Sequence, residues 1–442
     1  MNSKVLRWSL IVALGGFLFG FDTAVISGVE KSIQQLFNLN SSWHGFTISS
    51  ALIGTVIGAL TAGKPADKYG RRIILFYIAG LYTISAFGSA MSSNLWLFIF
   101  FRFIGGLAVG ASSVAGPMYI SEISPADKRG RMTALFQFNV IFGIMMAYIS
   151  NYLLTNTGAE PWRYMLGVEG VPAILFFVLL FAVPRSPRFL IKTGRNEEAK
   201  RVLLMIDPDD VDNQIRDIQQ SLKDGKSSAR HLFDKAYFKP ITIAFLVAMF
   251  NQFSGINAIL YYAPRIFEMT GLSKTISMFQ PVIIGITNGL FTILGLVIID
   301  KVGRKPLLIV GSIGMSLCLG LISRAFYLQD FTGYSILILL VVYIIFFAFS
   351  TGAVIWVLIA EVFPNRVRGQ GQSLGSFTHW FFAALITFIF PVIVESGNYG
   401  NAFAFGFFSV MMIVQAVIVW KFFPETKGKS LEKLGEEMSG KL

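Results

Sequence analysis

The chain has 442 residues, of which 54% are hydrophobic and only 14% charged, with a mean hydropathy of +0.63 and a formal net charge of +12. These proportions exclude an ordinary water-soluble domain and point to an all-α protein that crosses a bilayer many times. One cysteine, Cys318, excludes an intramolecular disulfide.

Taken in chain order, apolar runs near the roughly 20 residues that span a bilayer recur at 8–28, 46–63, 73–91, 95–115, 133–154, 165–183, 241–264, 278–299, 306–327, 335–360, 372–394 and 402–423. Lys4 and Arg7 precede the first run, as they would in a cleaved leader. That run continues through Asp22 without a cleavage motif, so it is read as the first of twelve spans. Asp22 has no positive charge beside it in sequence. A carboxylate held away from water takes up a proton or finds a cation. Arg102, in the fourth span, is the second intramembrane charge and needs an acceptor, and Asp22 is its natural partner.

The pairs Gly16/Gly20, Gly54/Gly58 and Gly106/Gly110 read as close-packing helix faces. Residues 58–64, GALTAGK, fit most of a phosphate-loop pattern, but Pro65 stands where Ser or Thr would hold magnesium. No HExxH, paired CxxC or GxSxG is present, and His44, His231 and His379 are too scattered for a metal cluster. Neither enzymatic chemistry nor a cofactor or metal is expected.

Residues 185–238 form the most polar stretch, with Val202, Leu203, Ile206, Ile215 and Ile218 spaced for short amphipathic helices. They divide the chain into a six-helix half at 1–184, a linker at 185–238, a second half at 239–424 and a tail at 425–442. Internal repeats support the division. DKYGRR (67–72) returns as DKVGRK (300–305), EISPADKRG (122–130) as EVFPNRVRG (361–369), and PRSPR from Pro184 as PETKG from Pro424. Two parallel halves with a substrate held between them is the transporter architecture this implies. With the N-terminus inside, 31 of the 37 Lys and Arg fall on the cytoplasmic side, leaving Arg102 within a span and Lys31, Arg163, Arg265, Lys274 and Arg324 outside. The net charge therefore reads as topology and contact with anionic lipid, not as nucleic-acid binding.

These motifs, together with PMYISEISPADKRGR (117–131), NQFSGINAILYYAP (251–264), WVLIAEVFPNRVRG (356–369) and PETKGKSLE (424–432), carry a resemblance. The chain resembles the sugar porters of the major facilitator superfamily, close to bacterial proton–sugar symporters and related to the facilitative glucose transporters. The resemblance implies proton-coupled import of a pentose or hexose across the cytoplasmic membrane, with both termini inside and no obligate protein partner. A uniporter with a structural Asp22 is the mechanistic alternative. A sugar sensor is disfavoured by the short tail after Pro424.

By the same resemblance, Asp22 and Arg102 couple the proton. The sugar falls to Gln137, Asn251, Gln252, Asn257, Asn288, Trp356, His379 and Trp380. Amides supply donors and acceptors to hydroxyl groups, and aromatic faces pack on the C–H faces of a sugar. Asn139 and Asn151 are read as interhelical hydrogen bonders instead. A gating network on the cytoplasmic side falls on Asp67, Arg71, Glu122, Arg131, Asp300, Arg304, Glu361 and Arg368. Short loops of this composition let guanidinium groups clasp carboxylates and helix ends. Several positions depart from the family pattern: Arg185 replaces the Glu of P-E-S-P-R, Asn251 replaces a Gln, His379 stands where Gln or Asn is common, and Ala353 replaces a Pro in the tenth span.

Overall fold

A computed structural model of the chain describes residues 3–125, 128–208, 211–224, 232–234, 237–331, 333–364 and 367–427. His231 and the tail beyond Lys427 lie outside the described residues. Twelve helices among those described are long and apolar enough to cross a membrane. They are α1 (Ser3–Gly28), α2 (Ser41–Thr61), α3 (Arg71–Ala90), α4 (Leu95–Ile123), α5 (Gly130–Leu154), α6 (Pro161–Ala182), α7 (Phe238–Glu268), α8 (Lys274–Val302), α9 (Arg304–Leu328), α10 (Ser335–Val362), α11 (Arg368–Val394) and α12 (Gly400–Phe422). Only a helix satisfies its own backbone hydrogen bonds in lipid, which is why each apolar run takes this form.

Most helices overrun the apolar stretch that announced them. α4 extends to Ile123 rather than 115, and α2 begins at Ser41 rather than 46. Hydropathy marks the part of a helix that needs lipid, while polar turns at either end continue the hydrogen-bonded ladder. In the linker, short helices form at Pro187–Lys192, Asn196–Ile206 and Val211–Asp224. Val202, Leu203 and Ile206 are buried and Ile215 and Ile218 half-buried, in keeping with an amphipathic reading.

The chain forms two compact units. The first comprises residues 1–25, 50–147 and 156–229, and the second residues 26–49, 148–155 and 230–442. Within the first, α2 and α4 approach closely enough that side chains would not fit. A Cβ at Gly106 would lie 1.8 Å from the carbonyl oxygen of Ala51, and one at Gly58 would lie 2.3 Å from that of Leu107. The small-residue pairs of these two helices therefore face each other. Within the second unit, α7, α9, α10 and α12 share an apolar core that includes Val247, Leu308, Val354, Leu358 and Val419.

Three spans are interrupted. In α6 the hydrogen-bond ladder is irregular between Pro161–Gly167 and Gly170–Leu179, although Val168 and Glu169 keep helical dihedrals. α7 divides into Phe238–Phe253 and Ile256–Glu268, and α10 into Ser335–Phe349 and Thr351–Val362. Irregular backbone at membrane depth is tolerated where it lines a protein interior. Every one of these breaks lies beside a residue of the candidate site.

Candidate substrate and coupling site

In the first unit, Arg102 Nη1 donates to Asp22 Oδ1 at 2.6 Å, and its Nη2 reaches the Asp22 carbonyl oxygen at 3.3 Å. Both side chains are no more than 3% exposed. The RFIGG sequence of α4 explains the close approach. A Cβ at Gly105 would sit 2.4 Å from Ser85 Oγ and 3.3 Å from Asp22 Oδ1. The paired charges predicted from sequence are thus brought together.

A third charged group joins them. Glu169 is buried at the irregular turn of α6, within electrostatic reach of Asp22 and Arg102. Tyr82 and Ser112 complete the surroundings. Two buried carboxyl groups thus share the field of one guanidinium. Sequence reading missed Glu169, although the test that singled out Asp22, a carboxylate inside an apolar run, applies equally to GVEGVP (167–172).

In the second unit, the break in α7 gathers the amides. Gly255 holds a left-handed conformation (φ +83°), and a Cβ there would lie 2.5 Å from the Phe408 ring. Asn251 and Gln252 close the first piece and Asn257 opens the second. Asn257 Nδ2 donates to Gln252 Oε1 at 2.9 Å, Gln252 Nε2 donates to Asn251 Oδ1 at 3.0 Å, and Asn251 Nδ2 reaches the Thr351 carbonyl oxygen at 3.4 Å. Gln252 Nε2 lies 3.2 Å from both ring nitrogens of His379. A donor equidistant from both sits over the imidazole face, off the in-plane direction of either nitrogen, and leaves those directions open to a ligand. The imidazole also packs against Trp356 and Trp380, each with its ring centroid 4.9 Å away. Trp356 is 38% exposed and offers an apolar face next to the polar chain.

Asn288, on α8, accepts from Thr292 Oγ1 at 3.5 Å. Gln137 lies half-buried on α5 in the first unit. Asn139 donates to the Leu135 carbonyl of its own helix turn at 2.9 Å, while the Asn151 amide packs over Gly28. α10 breaks at Ser350 (φ −110°, ψ −99°). The bend thus survives the exchange of Pro for Ala353.

Six of the eight predicted gating residues form two matching networks, one per unit. In the first, Arg71 Nη2 pairs with Asp67 at 2.7 Å and Glu122 at 3.0 Å, and Ser186 Oγ donates to Glu122. In the second, Arg304 pairs with Asp300 at 3.0 Å and Glu361 at 2.7 Å, and Thr426 Oγ1 donates to Glu361. The symmetry fails at one place. Glu425 accepts the backbone N–H groups of Arg304 and Lys305 and so caps α9, whereas the matching residue in the first unit is Arg185 and the start of α3 has no side-chain cap. Arg368 donates to the Phe363 carbonyl at 3.3 Å, and no ion pair among the described residues includes Arg131, which is exposed on α5.

The family model described as "Sugar (and other) transporter" matches residues 8–438. The chain belongs to this family of transporters. It is 36% identical to the D-xylose-proton symporter of Escherichia coli K12 over 470 residues, covering 98% of this chain and 95% of the relative. Identity to the arabinose-proton symporter of Bacillus subtilis is also 36%, with 97% and 94% covered. The inward-open structure of the xylose transporter XylE from E. coli matches with a TM-score of 0.87 at 35% identity, over 97% of this chain and 99% of that one. This sugar transporter family member therefore has the major facilitator fold, and the breaks in α7 and α10 and the charges of α1, α4 and α6 belong to a transporter, not an enzyme.

Proposed function

We propose that the protein imports a monosaccharide, a pentose or hexose, together with a proton across the cytoplasmic membrane by alternating access. The observation that carries the reading is the buried set of Asp22, Glu169 and Arg102. Two carboxyl groups beside one guanidinium, all three buried away from water, provide a place to bind and release a proton. The named activities of the xylose and arabinose relatives agree with this. In the second unit, Gln252, Asn257 and His379 supply donors and acceptors for sugar hydroxyl groups, and Trp356 and Trp380 a face for the ring. Asn288 and Gln137 complete the site from α8 and α5. Asn251 acts chiefly through Gln252, whose amide it orients.

In the cycle, a proton reaches the Asp22–Glu169 pair from outside and loosens the hold of Arg102, sugar binds, the two six-helix halves rock, and both are released inside. Proton binding changes the charge of a desolvated cluster, which is the differential interaction a conformational change requires. Positive-inside bias supports a cytoplasmic position for both termini and for the Asp67 and Asp300 networks. The networks around Arg71 and Arg304 steady the cytoplasmic ends. Lipid is the surrounding partner, and the reading needs no cofactor and no second protein.

Proteoliposomes under an imposed pH gradient test the reading. Labelled sugar is expected to accumulate above its external concentration and to fall to equilibrium when a protonophore is added. Uptake that only equilibrates, with or without the gradient, identifies a uniporter instead.

A further inference from the structure

A second charge network lies at the end of the second unit opposite Arg304. It draws on four segments: Glu30 from the helix Glu30–Leu36, His44 from the first turn of α2, Arg265 from the second piece of α7, and Glu395 just beyond α11. Arg265 Nη1 lies 3.2 Å from Glu30 Oε2 and its Nη2 lies 2.7 Å from Glu395 Oε1. His44 is wholly buried between them, with Nε2 2.9 Å from Glu30 and Nδ1 3.3 Å from Arg265 Nη1. Arginine has no lone pair to offer, so only Nδ1 can be the acceptor in its contact with Arg265. Gln34 Nε2 donates to Glu395 at 2.9 Å, Ser41 Oγ donates to the same carboxylate, and Lys31 pairs with Glu268.

The segments joined here are far apart in sequence. Residues 26–49 link α1 to α2, yet they pack with α7 and α11 in the second unit. Backbone contact accompanies the charges, since a Cβ at Gly45 would lie 2.1 Å from the Phe388 carbonyl oxygen. A cavity of about 450 Å³ is lined by Ser27, Glu30, Lys31, Gln35, Arg265 and Lys274, among others. Burial pushes the Glu395 carboxyl up, but the hydrogen bonds from Ser41 and Gln34 and the Arg265 charge outweigh it and hold the group below the usual carboxylate range.

We propose that Glu30, His44, Arg265 and Glu395 are the external gate of the transport cycle, with Arg265 as its central tie. The inference rests on the transport reading and its orientation, which put this end outside. Sugar arriving from outside must pass between residues 26–49 and the ends of α7 and α11, and each of these contacts bridges that passage. Arg265 pairs with both carboxylates at once. Without it, Glu30 and Glu395 repel each other in a poorly solvated site, and the gate opens. The Lys31–Glu268 pair contributes far less, because Lys31 is 51% exposed and its charge is screened.

Spin labels at Leu36→Cys, at the end of the helix Glu30–Leu36, and Tyr334→Cys, just before α10, both exposed, report the gap in the reconstituted full chain with Cys318→Ser. Arg265→Gln is expected to increase the long-distance population at least about threefold, Lys31→Gln to leave it within error, and Arg265→Lys to restore the closed distribution. Glu395→Gln cuts one of the two ties and gives a smaller shift, which keeps the test decisive if Arg265→Gln does not fold. An unmoved distribution in both variants overturns the gate. Sugar counterflow by the parent protein is measured on the same vesicles: its absence defeats the transport reading, while the distances still decide whether these residues hold the end closed.

Discussion

Arg102 carries one positive charge, and two carboxyl groups compete for it. That imbalance is the ground for the coupling role proposed for Glu169. Glu169→Gln is expected to lower proton-driven accumulation about tenfold, the equivalent of ~1.4 kcal/mol in the coupled step, and to leave sugar counterflow within about twofold. Equal losses in both assays would make Glu169 a general structural residue. The Asp22–Arg102 partnership was legible in sequence because charges inside apolar runs are rare and must meet. Glu169 was equally exposed to that logic and escaped only because its run was scored as a whole. The chain from Thr351 through Asn251 and Gln252 to Asn257 was not legible, since amide orientation depends on a helix break that hydropathy does not register.

At the scale of elements, the two gating networks show what one substitution does to a repeated design. Glu425 caps α9 through the N–H groups of Arg304 and Lys305, and its carboxyl lies below the usual range because these hydrogen bonds, with that from Lys427, outweigh a burial effect of opposite sign. Its folded value is thus below the unfolded one. The stabilisation is present at neutral pH and is lost as pH falls below about 4, through the depressed value. Glu425→Gln is expected to flatten the acid limb of a melting-temperature profile, and an unchanged limb would remove the cap from the account. Arg185→Glu supplies the missing cap at α3 and is expected to stabilise the folded protein by about 1 kcal/mol, read as a rise in melting temperature in detergent. A fall would mean that Arg185 makes its own compensating contacts. The loop motifs and facing glycine pairs were visible in sequence as short-range patterns. The helix breaks were less so, because Gly255 and Ser350 sit in runs whose composition is that of a continuous span.

For the whole molecule, the proposed cycle requires ties at both ends and predicts opposite responses when they are cut. Glu361→Arg breaks the Arg304 pair and the Thr426 hydrogen bond, and is expected to raise cysteine accessibility from the cytoplasmic side, whereas Arg265→Gln raises it from outside. Equal or unchanged patterns would remove the gating roles. The twelve-helix fold and the family were legible from hydropathy and repeated motifs. The external network was not, because Glu30, His44, Arg265 and Glu395 come from segments up to hundreds of residues apart, and each alone reads as an ordinary loop charge.

Proton coupling through Asp22 is the central claim, and Asp22→Asn tests it most directly in proteoliposomes loaded for both uphill uptake and counterflow. The predicted result is that accumulation driven by the pH gradient disappears while sugar counterflow persists, because the variant keeps a hydrogen-bonding side chain of the same shape and loses only the titrating group. Accumulation that survives the substitution, and still collapses with a protonophore, would place the coupled proton elsewhere and contradict the account.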